Sequence, residues 1–318
     1  MELIRGLHNL APRHRGCVAT IGAFDGVHLG HRALLAQLIT RGRELSLPSA
    51  VVCFEPLPRE YFAPREAPPR LMSFREKVIE LRRLGVDRLL RIRFDEHFRS
   101  VTAEAFIEQI IVQGLGVRHL VVGDDLRFGA GRSGDTTMLR AAGEQYGFAV
   151  GDIPSVISGA ARVSSSRIRE ALQASDFLLA EELLGYPYRM SGKVVFGRQL
   201  GRTLGVPTAN LELHRSRAPM SGVYAVEVTG AADHRVQGVA NVGTRPTIGD
   251  RDKALLEVHL LDFSGDLYGR HVDVVFRHKI RDELKFSSVE ELTGHIRADI
   301  QAGRRWFEGR PGAAQGVE

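Results

Sequence analysis

Sulfur is scarce: the 318 residues hold two cysteines, Cys17 and Cys53. Each sits in an apolar, strand-like run, so both read as buried free thiols. A disulfide framework and a C-x-x-C metal pattern are thereby excluded. Long hydrophobic runs are missing too. The opening stretch MELIRGLHNLAPRHRG has no continuous apolar core of signal-peptide length, and no later run reaches membrane-spanning length. No membrane association is expected, and the chain reads as cytoplasmic. A basic stripe with interleaved aromatics, which a nucleic-acid groove would require, is absent. The formal net charge is only +5, and many arginines alternate with glutamate, as in FREKVIELRR. Most of that excess is therefore solvated helix face, suited to small anionic ligands rather than nucleic acid. No internal repeat or low-complexity segment stands out.

What is present is a chain long enough for two domains with separate cores. Up to about Gly185, short apolar runs (CVATIGA, AVVCFE, DRLLRIR, RHLVVG) alternate with helical patterns (HRALLAQLITRGREL, FREKVIELRRL, AEAFIEQIIVQ, TTMLRAAGEQYG). This alternation predicts an α/β, doubly wound parallel sheet with helices on both faces, whose ligands bind beyond the carboxyl ends of the strands. After LLGYPYRM the texture changes. GKVVFG, GVYAVEVTG, HRVQGVANVG, ALLEVHLLDF and HVDVVFRHKI are short, β-rich and separated by Gly, Pro and Asp. They predict an antiparallel barrel or sandwich. SVEELTGHIRADIQAGRRWF returns to helical spacing, with Ser288 and Glu291 placed for a capping box. The boundary falls near Gly185–Tyr188, giving domains 1–186 and 187–318. The last residues, EGRPGAAQGVE, read as a flexible tail.

TIGAFDGVHLGHRALL turns from strand to helix with His28 and His31 three residues apart and glycines beside them. A helix N-terminus presents unpaired N–H groups and partial positive charge, which attract phosphate. Two histidines at i and i+3 share one face of the first turn and can donate to one phosphoryl group as charge builds on it. Alone, H-x-x-H is compatible with metal, phosphate or an incidental turn. The position after a strand and glycine, before a long helix, favours phosphate, and no third ligand points to zinc.

G-x-x-H-x-G-H on the first strand–helix turn resembles the HxGH nucleotidyltransferases. GAFDGVHLGH together with CFEPLPREYF, VVGDDLRFGAGRSGD and VSSSRIREAL resembles, more closely, the amino-terminal module of the prokaryotic bifunctional riboflavin kinase/FAD synthetase family. The resemblance implies a Rossmann-like domain that moves AMP from ATP onto FMN and releases pyrophosphate. His28 and His31 would then be catalytic. Gly22, Phe24, Gly26, Asp125, Ser164, Ser165, Ser166 and Arg167 would contact ATP. The serines open a helix and Arg167 and Arg169 lie in its first turns, an arrangement suited to the β- and γ-phosphates; plain serine capping is the other reading. Phe62 and Phe128 would bind the flavin, against the alternative of ordinary core. Two departures stand out: Leu57, where the family usually has His in F-x-P-H-P, and Leu126, where an aromatic residue is common.

GRQLGRTLGVPTANLEL places glycines at 197, 201 and 205 ahead of Pro207-Thr208-Ala209-Asn210. A glycine-rich flap can close over phosphates through its amides, and Thr and Asn two residues apart put oxygen donors on one side of an extended chain. Oxygen ligands suit Mg²⁺, although a Gly-rich turn before Pro is more often a loop. GRTLGVPTANL, SGVYAVEV, GVANVGTRPT and LLEVHLLDFSGDLYG together resemble the family's riboflavin kinase module, a small β-barrel. By that resemblance Gly197, Gly201, Thr208 and Asn210 bind Mg-ATP, Thr208 and Asn210 hold the metal, and Glu257 is the general base for the ribityl 5′-hydroxyl. Arg245 is assigned to flavin binding, orienting substrate or phosphate. Phe196 stands where the family often has His.

The resemblance runs from about Gly16 to Trp306. It implies a bifunctional enzyme with a carboxyl-terminal helix after its barrel, making FMN and then FAD, with ATP as co-substrate, Mg²⁺ in both sites and pyrophosphate released. No nucleic acid or membrane partner is expected, and a homo-oligomer is compatible with it. Two alternatives stay open: a riboflavin kinase with impaired adenylyl transfer, prompted by Leu57, and a flavin- or nucleotide-binding regulator without turnover.

Overall fold

The protein is described by a computed structural model covering residues 1–197, 205–245 and 253–309. Its contacts divide it into two units, Met1–Pro68 with Phe74–Ser165, and Pro69–Ser73 with Ser166–Glu318.

The first unit is built on a six-stranded sheet in the order β1-β4-β3-β2-β5-β6, with β1 Glu2–Arg5, β2 Cys17–Ile21, β3 Ser49–Glu55, β4 Arg88–Arg93, β5 Val117–Gly123 and β6 Ala149–Ile153. All its ladders are parallel. The central strand β2 is buried at all five residues, as a strand covered on both faces must be. Helices α1 Leu29–Glu44, α2 Pro58–Phe62, α3 Phe74–Arg83, α4 Glu96–Arg99, α5 Ala103–Phe106 and α6 Thr136–Tyr146 supply the crossovers, and α5 runs on as a π-helical stretch, Ile107–Gly114. Cys17, Ala19 and Ile21 pack with Phe106, Ile110 and Leu120 in one core cluster. The chain winds from β2 through β3 to β4 on one side and then returns to place β5 on the other side of β2. The carboxyl ends of β2 and β5 thus flank the topological switch point, where α/β sheets hold ligands. A two-stranded hairpin follows, β7 Ile157–Ser158 with β8 Ala161–Arg162.

The second unit is a closed antiparallel barrel, in the order β10-β13-β12-β11-β14-β9. Its strands are β9 Arg189–Val195, β10 Ala209–Glu212, β11 Gly222–Thr229, β12 Val236–Arg245, β13 Lys253–Leu260 and β14 His271–Arg281. Of the two architectures the pattern allows, closure is the one that leaves no open edge. Leu256, Val258, Ala240, Val242 and Leu211 are buried in this unit. Helices α7 Ser165–Gln173 and α8 Phe177–Leu184 precede the barrel. Phe177 of α8 lies edge-on to Tyr224, with ring centroids 5.8 Å apart. The segment Pro69–Ser73 belongs with this unit: the buried Arg215 donates to the Leu71 carbonyl at 3.3 Å, as does the Tyr188 hydroxyl at 3.2 Å.

Helix α9 Val289–Glu308 is the last element among the described residues. Ser288 caps it, its hydroxyl accepting from the Glu291 N–H at 3.1 Å. The Glu291 carboxylate takes the N–H and hydroxyl of Ser287, at 2.8 and 2.7 Å, so the reciprocal half of the capping box is displaced by one residue.

Candidate active sites

In the first unit the loop Gly22–His28 leaves β2 and enters α1. Phe24 through His28 are all buried, which is unusual for a connection and requires its backbone groups to find partners inside the protein. The Gly22 N–H donates to the Val52 carbonyl at 3.1 Å. Ser165 Oγ donates to the Asp25 carbonyl at 2.9 Å, and Lys77 Nζ donates to the Ala23 carbonyl at 2.6 Å. Three residues of the loop take left-handed backbone angles: Phe24 (φ 49°), Gly26 (φ 87°) and Val27 (φ 39°). For Phe and the β-branched Val this costs on the order of 1–3 kcal/mol each, the kind of strain that gathers at functional sites.

His28 is the N-cap of α1, and its Nδ1 accepts the His31 N–H at 3.3 Å. An Nδ1 that accepts places the proton of the neutral ring on Nε2, which makes that nitrogen a donor. The rings of His28 and His31 stack with centroids 3.7 Å apart, and Phe24 lies 5.1 Å from His31 on a tilted plane. Gly30 is small for a reason visible here: a Cβ at that position would lie 3.2 Å from the His28 ring. His31 Nδ1 is buried without a hydrogen-bond partner. Burial holds the His31 pKa well below its ordinary value of 6.5, and the neighbouring His28, Lys77 and Arg162 lower it further.

Across the switch point, Asp124 and Asp125 follow β5. Arg162 of β8 reaches both, at 3.5 and 3.1 Å, and Ser155 Oγ donates to Asp124 at 3.0 Å. Arg162 thus couples the acidic pair to the field at His31. In the sequence Arg162 carries no signal beyond its position two residues before the serine run. Ser164 directly precedes α7, Ser165 and Ser166 open it, and Arg167 lies in its first turn. Arg169 is turned to the backbone, its Nε donating to the Pro69 carbonyl at 2.7 Å.

The two aromatic candidates part company. Phe62 is 62% exposed at the end of α2, whereas Phe128 is buried in the core, its ring 5.4 Å from that of Phe106. Leu57 is the N-cap residue of α2, and its N–H donates to the Glu60 carboxylate at 3.0 Å.

In the second unit, cross-strand register sets Asn210 of β10 beside Glu257 of β13, and Glu257 beside Asn241 of β12. These three polar residues form one row across adjacent strands, while Leu256 and Val258 point into the barrel. Asn241 was missed in the sequence, because only register places it next to Glu257. Two residues along β13, the ring of His259 bonds through Nδ1 to the Pro207 carbonyl at 2.9 Å. A carbonyl only accepts, so that nitrogen carries the proton and pins the P-T-A-N segment. Gly197 lies against the Asn210 amide so closely that a Cβ would come within 2.4 Å of it. Next to it, Phe196 stacks on Tyr268 with centroids 3.8 Å apart. Gly201 and the side chain of Arg245 lie outside the described residues.

Both cysteines are buried free thiols, and burial pushes Cys17 up to about 12. Among the described residues no group of three or more His, Cys, Asp or Glu is placed to hold a metal ion. Thr208 and Asn210 offer neutral oxygens instead, donors that suit Mg²⁺ shared with phosphate.

Comparison with known proteins agrees with this division. The family model for FAD synthetase matches residues 10–167, and that for riboflavin kinase matches residues 184–307. A bifunctional riboflavin kinase/FMN adenylyltransferase from Pseudomonas fluorescens is 52% identical over 96% of this chain and 97% of its own. One of the same description from Escherichia coli K12 is 52% identical over 96% of this chain and 98% of its own. A solved structure described as a macrolide-efflux protein from Streptococcus pneumoniae superposes with a TM-score of 0.77 at 32% identity, over 96% of this chain and 100% of that one. That description is of the other protein; among the described residues here no helix is long and apolar enough to cross a membrane. With a parallel-sheet unit and a closed barrel in the family's order, the chain belongs to the bifunctional riboflavin kinase/FMN adenylyltransferase family.

Proposed function

We propose that the chain makes FAD from riboflavin in two ATP-dependent steps, the barrel (187–318) phosphorylating riboflavin and the parallel-sheet domain (1–186) adenylylating the FMN so formed. The observation that carries the adenylyl transfer is the stacked His28–His31 pair at the N-terminus of α1, set at the sheet's switch point with a buried, unpartnered nitrogen. An FMN phosphate oxygen attacks the α-phosphorus of ATP in line, and pyrophosphate leaves. The His28 Nε2–H, His31 and the first amides of α1 donate to the non-bridging oxygens as charge builds there. Gly22, Phe24 and Gly26 shape the loop that receives the nucleotide, and Asp125 with Arg162 borders it. Ser164, Ser165, Ser166 and Arg167 take the leaving phosphates, and Phe62 offers an exposed ring to the isoalloxazine. Phe128 supports that wall from the core.

In the barrel, Glu257 removes the proton of the ribityl 5′-hydroxyl, whose oxygen attacks the γ-phosphorus, and ADP leaves. Gly197 and the Thr208–Asn210 segment hold the triphosphate, and Arg245 orients substrate. Thr208 and Asn210 would hold Mg²⁺, which supplies neutralisation of polyphosphate charge. The enzyme is expected to act in the cytoplasm.

Purified protein incubated with riboflavin, ATP and Mg²⁺ should give FMN and then FAD on chromatography of the flavins over time. FMN alone would overturn the adenylyl transfer and make Leu57 the first residue to restore to His. No product at all would overturn both steps.

A further inference from the structure

The most completely buried charge in the first unit lies outside every role assigned so far. Lys77 of α3 is 1% exposed, and its ammonium donates to the Ala23 carbonyl inside the histidine loop. A buried ammonium is costly unless something fixed repays its desolvation. Its neighbour on α3, Glu80, is buried and paired with Arg32 of α1, with Arg83 at 3.8 Å. Thus α3 touches the histidine helix through the Arg32–Glu80 ion pair and the histidine loop through Lys77. The carbonyl that Lys77 holds immediately precedes Phe24, the first of the left-handed residues, whose ring lies against His31. The clamp therefore acts where the backbone is least able to hold its own shape.

Resting on the adenylyl-transfer reading above, we infer that Lys77 is a positioning residue for that reaction: from beneath the loop it fixes the Ala23–Val27 conformation that aims His28 and His31 at the α-phosphoryl group. It never touches substrate. Its charge has a second effect. His31 is faced by His28 at the cap of α1, by Lys77 from α3 and by Arg162 from β8, and all three oppose its protonation, after burial itself. Lys77 thereby helps keep the imidazole neutral.

The test is Lys77→Met in the full chain, assayed with FMN and ATP for FAD and with riboflavin and ATP for FMN. The kcat for FAD should fall about tenfold or more, the loss expected for a removed charge-assisted hydrogen bond, while FMN formation is unchanged. The His31 titration, followed by NMR of labelled imidazole, should move upward in pH, since one opposing charge is gone. A role confined to stability would leave that titration where it was. Lys77→Arg keeps the charge and the donor; it should retain the low His31 titration and is the variant to read if Lys77→Met does not fold. Wild-type protein that makes no FAD would overturn the adenylyl-transfer reading itself. Wild-type protein that makes FAD, beside a folded Lys77→Met with unaltered kcat and unaltered titration, would overturn the inference about Lys77 alone.

Discussion

His28 has two roles that ordinary mutagenesis would confuse. It caps α1 through Nδ1, and its Nε2–H is the group proposed to meet the phosphoryl oxygen. His28→Ala removes both, so it should cost about 1 kcal/mol of stability from the lost cap as well as activity. His28→Asn keeps a good capping oxygen. Its unfolding midpoint in urea should stay close to wild type, while FAD formation falls by about 10²–10³-fold, the scale of one lost oxyanion donor. Equal activity in His28→Asn and wild type would remove His28 from the chemistry. The two histidines were legible in the sequence because a strand, a glycine-rich turn and a helix are local signals. Lys77 and Arg162 were not. One looks like the charged face of FREKVIELRR, and the other like a solvated arginine before a serine run. Only the tertiary fold brings the first under the Ala23 carbonyl and the second to Asp124 and Asp125.

Among elements, β2 to β5 could be read because a parallel strand buried on both faces is a continuous apolar run. The edge strands could not. β1 spans four residues with one buried, and β6 contains Gly151 and Asp152 in a half-exposed ladder. The barrel strands were legible by alternation, but closure and register were not, and register is what puts Asn241 and Asn210 on either side of Glu257. Just beyond β9, close approach to β10 gives the glycine before the flap a measurable task. Gly197 and Asn210 are in such close approach that any side chain at 197 displaces the Asn210 amide. Gly197→Ala should therefore raise the KM for Mg-ATP in riboflavin phosphorylation and lower kcat/KM by ~10- to 100-fold, the scale of a misplacement near 1 Å. FAD formation from supplied FMN should be unaffected. A Gly197→Ala enzyme with wild-type kinetics for Mg-ATP would show that the Asn210 amide is not a nucleotide or metal contact.

At the scale of the whole molecule, each set of reacting groups is drawn from its own part of the chain. His28, His31 and Arg162 stand on the parallel-sheet unit, and Asn210, Glu257 and His259 on the barrel. A substitution at one set should leave the other intact, which makes the chain divisible by mutation without being cut. Glu257→Gln removes the proposed base while keeping shape and hydrogen-bonding capacity, so it should make FAD from supplied FMN but not from riboflavin. His28→Asn should make FMN from riboflavin and stop there. Mixed in one tube with riboflavin, ATP and Mg²⁺, the two variants should form FAD, because FMN is a soluble dianion that one molecule can release and another can bind. FAD should appear after a lag that shortens as the concentration of Glu257→Gln protein rises, since capture of free FMN is then the limiting step. Chromatography of the flavins would show FMN rising before FAD. A mixture that accumulates FMN and never forms FAD, while Glu257→Gln alone converts added FMN, would mean that FMN made by the barrel is not released in a form a second molecule can take up.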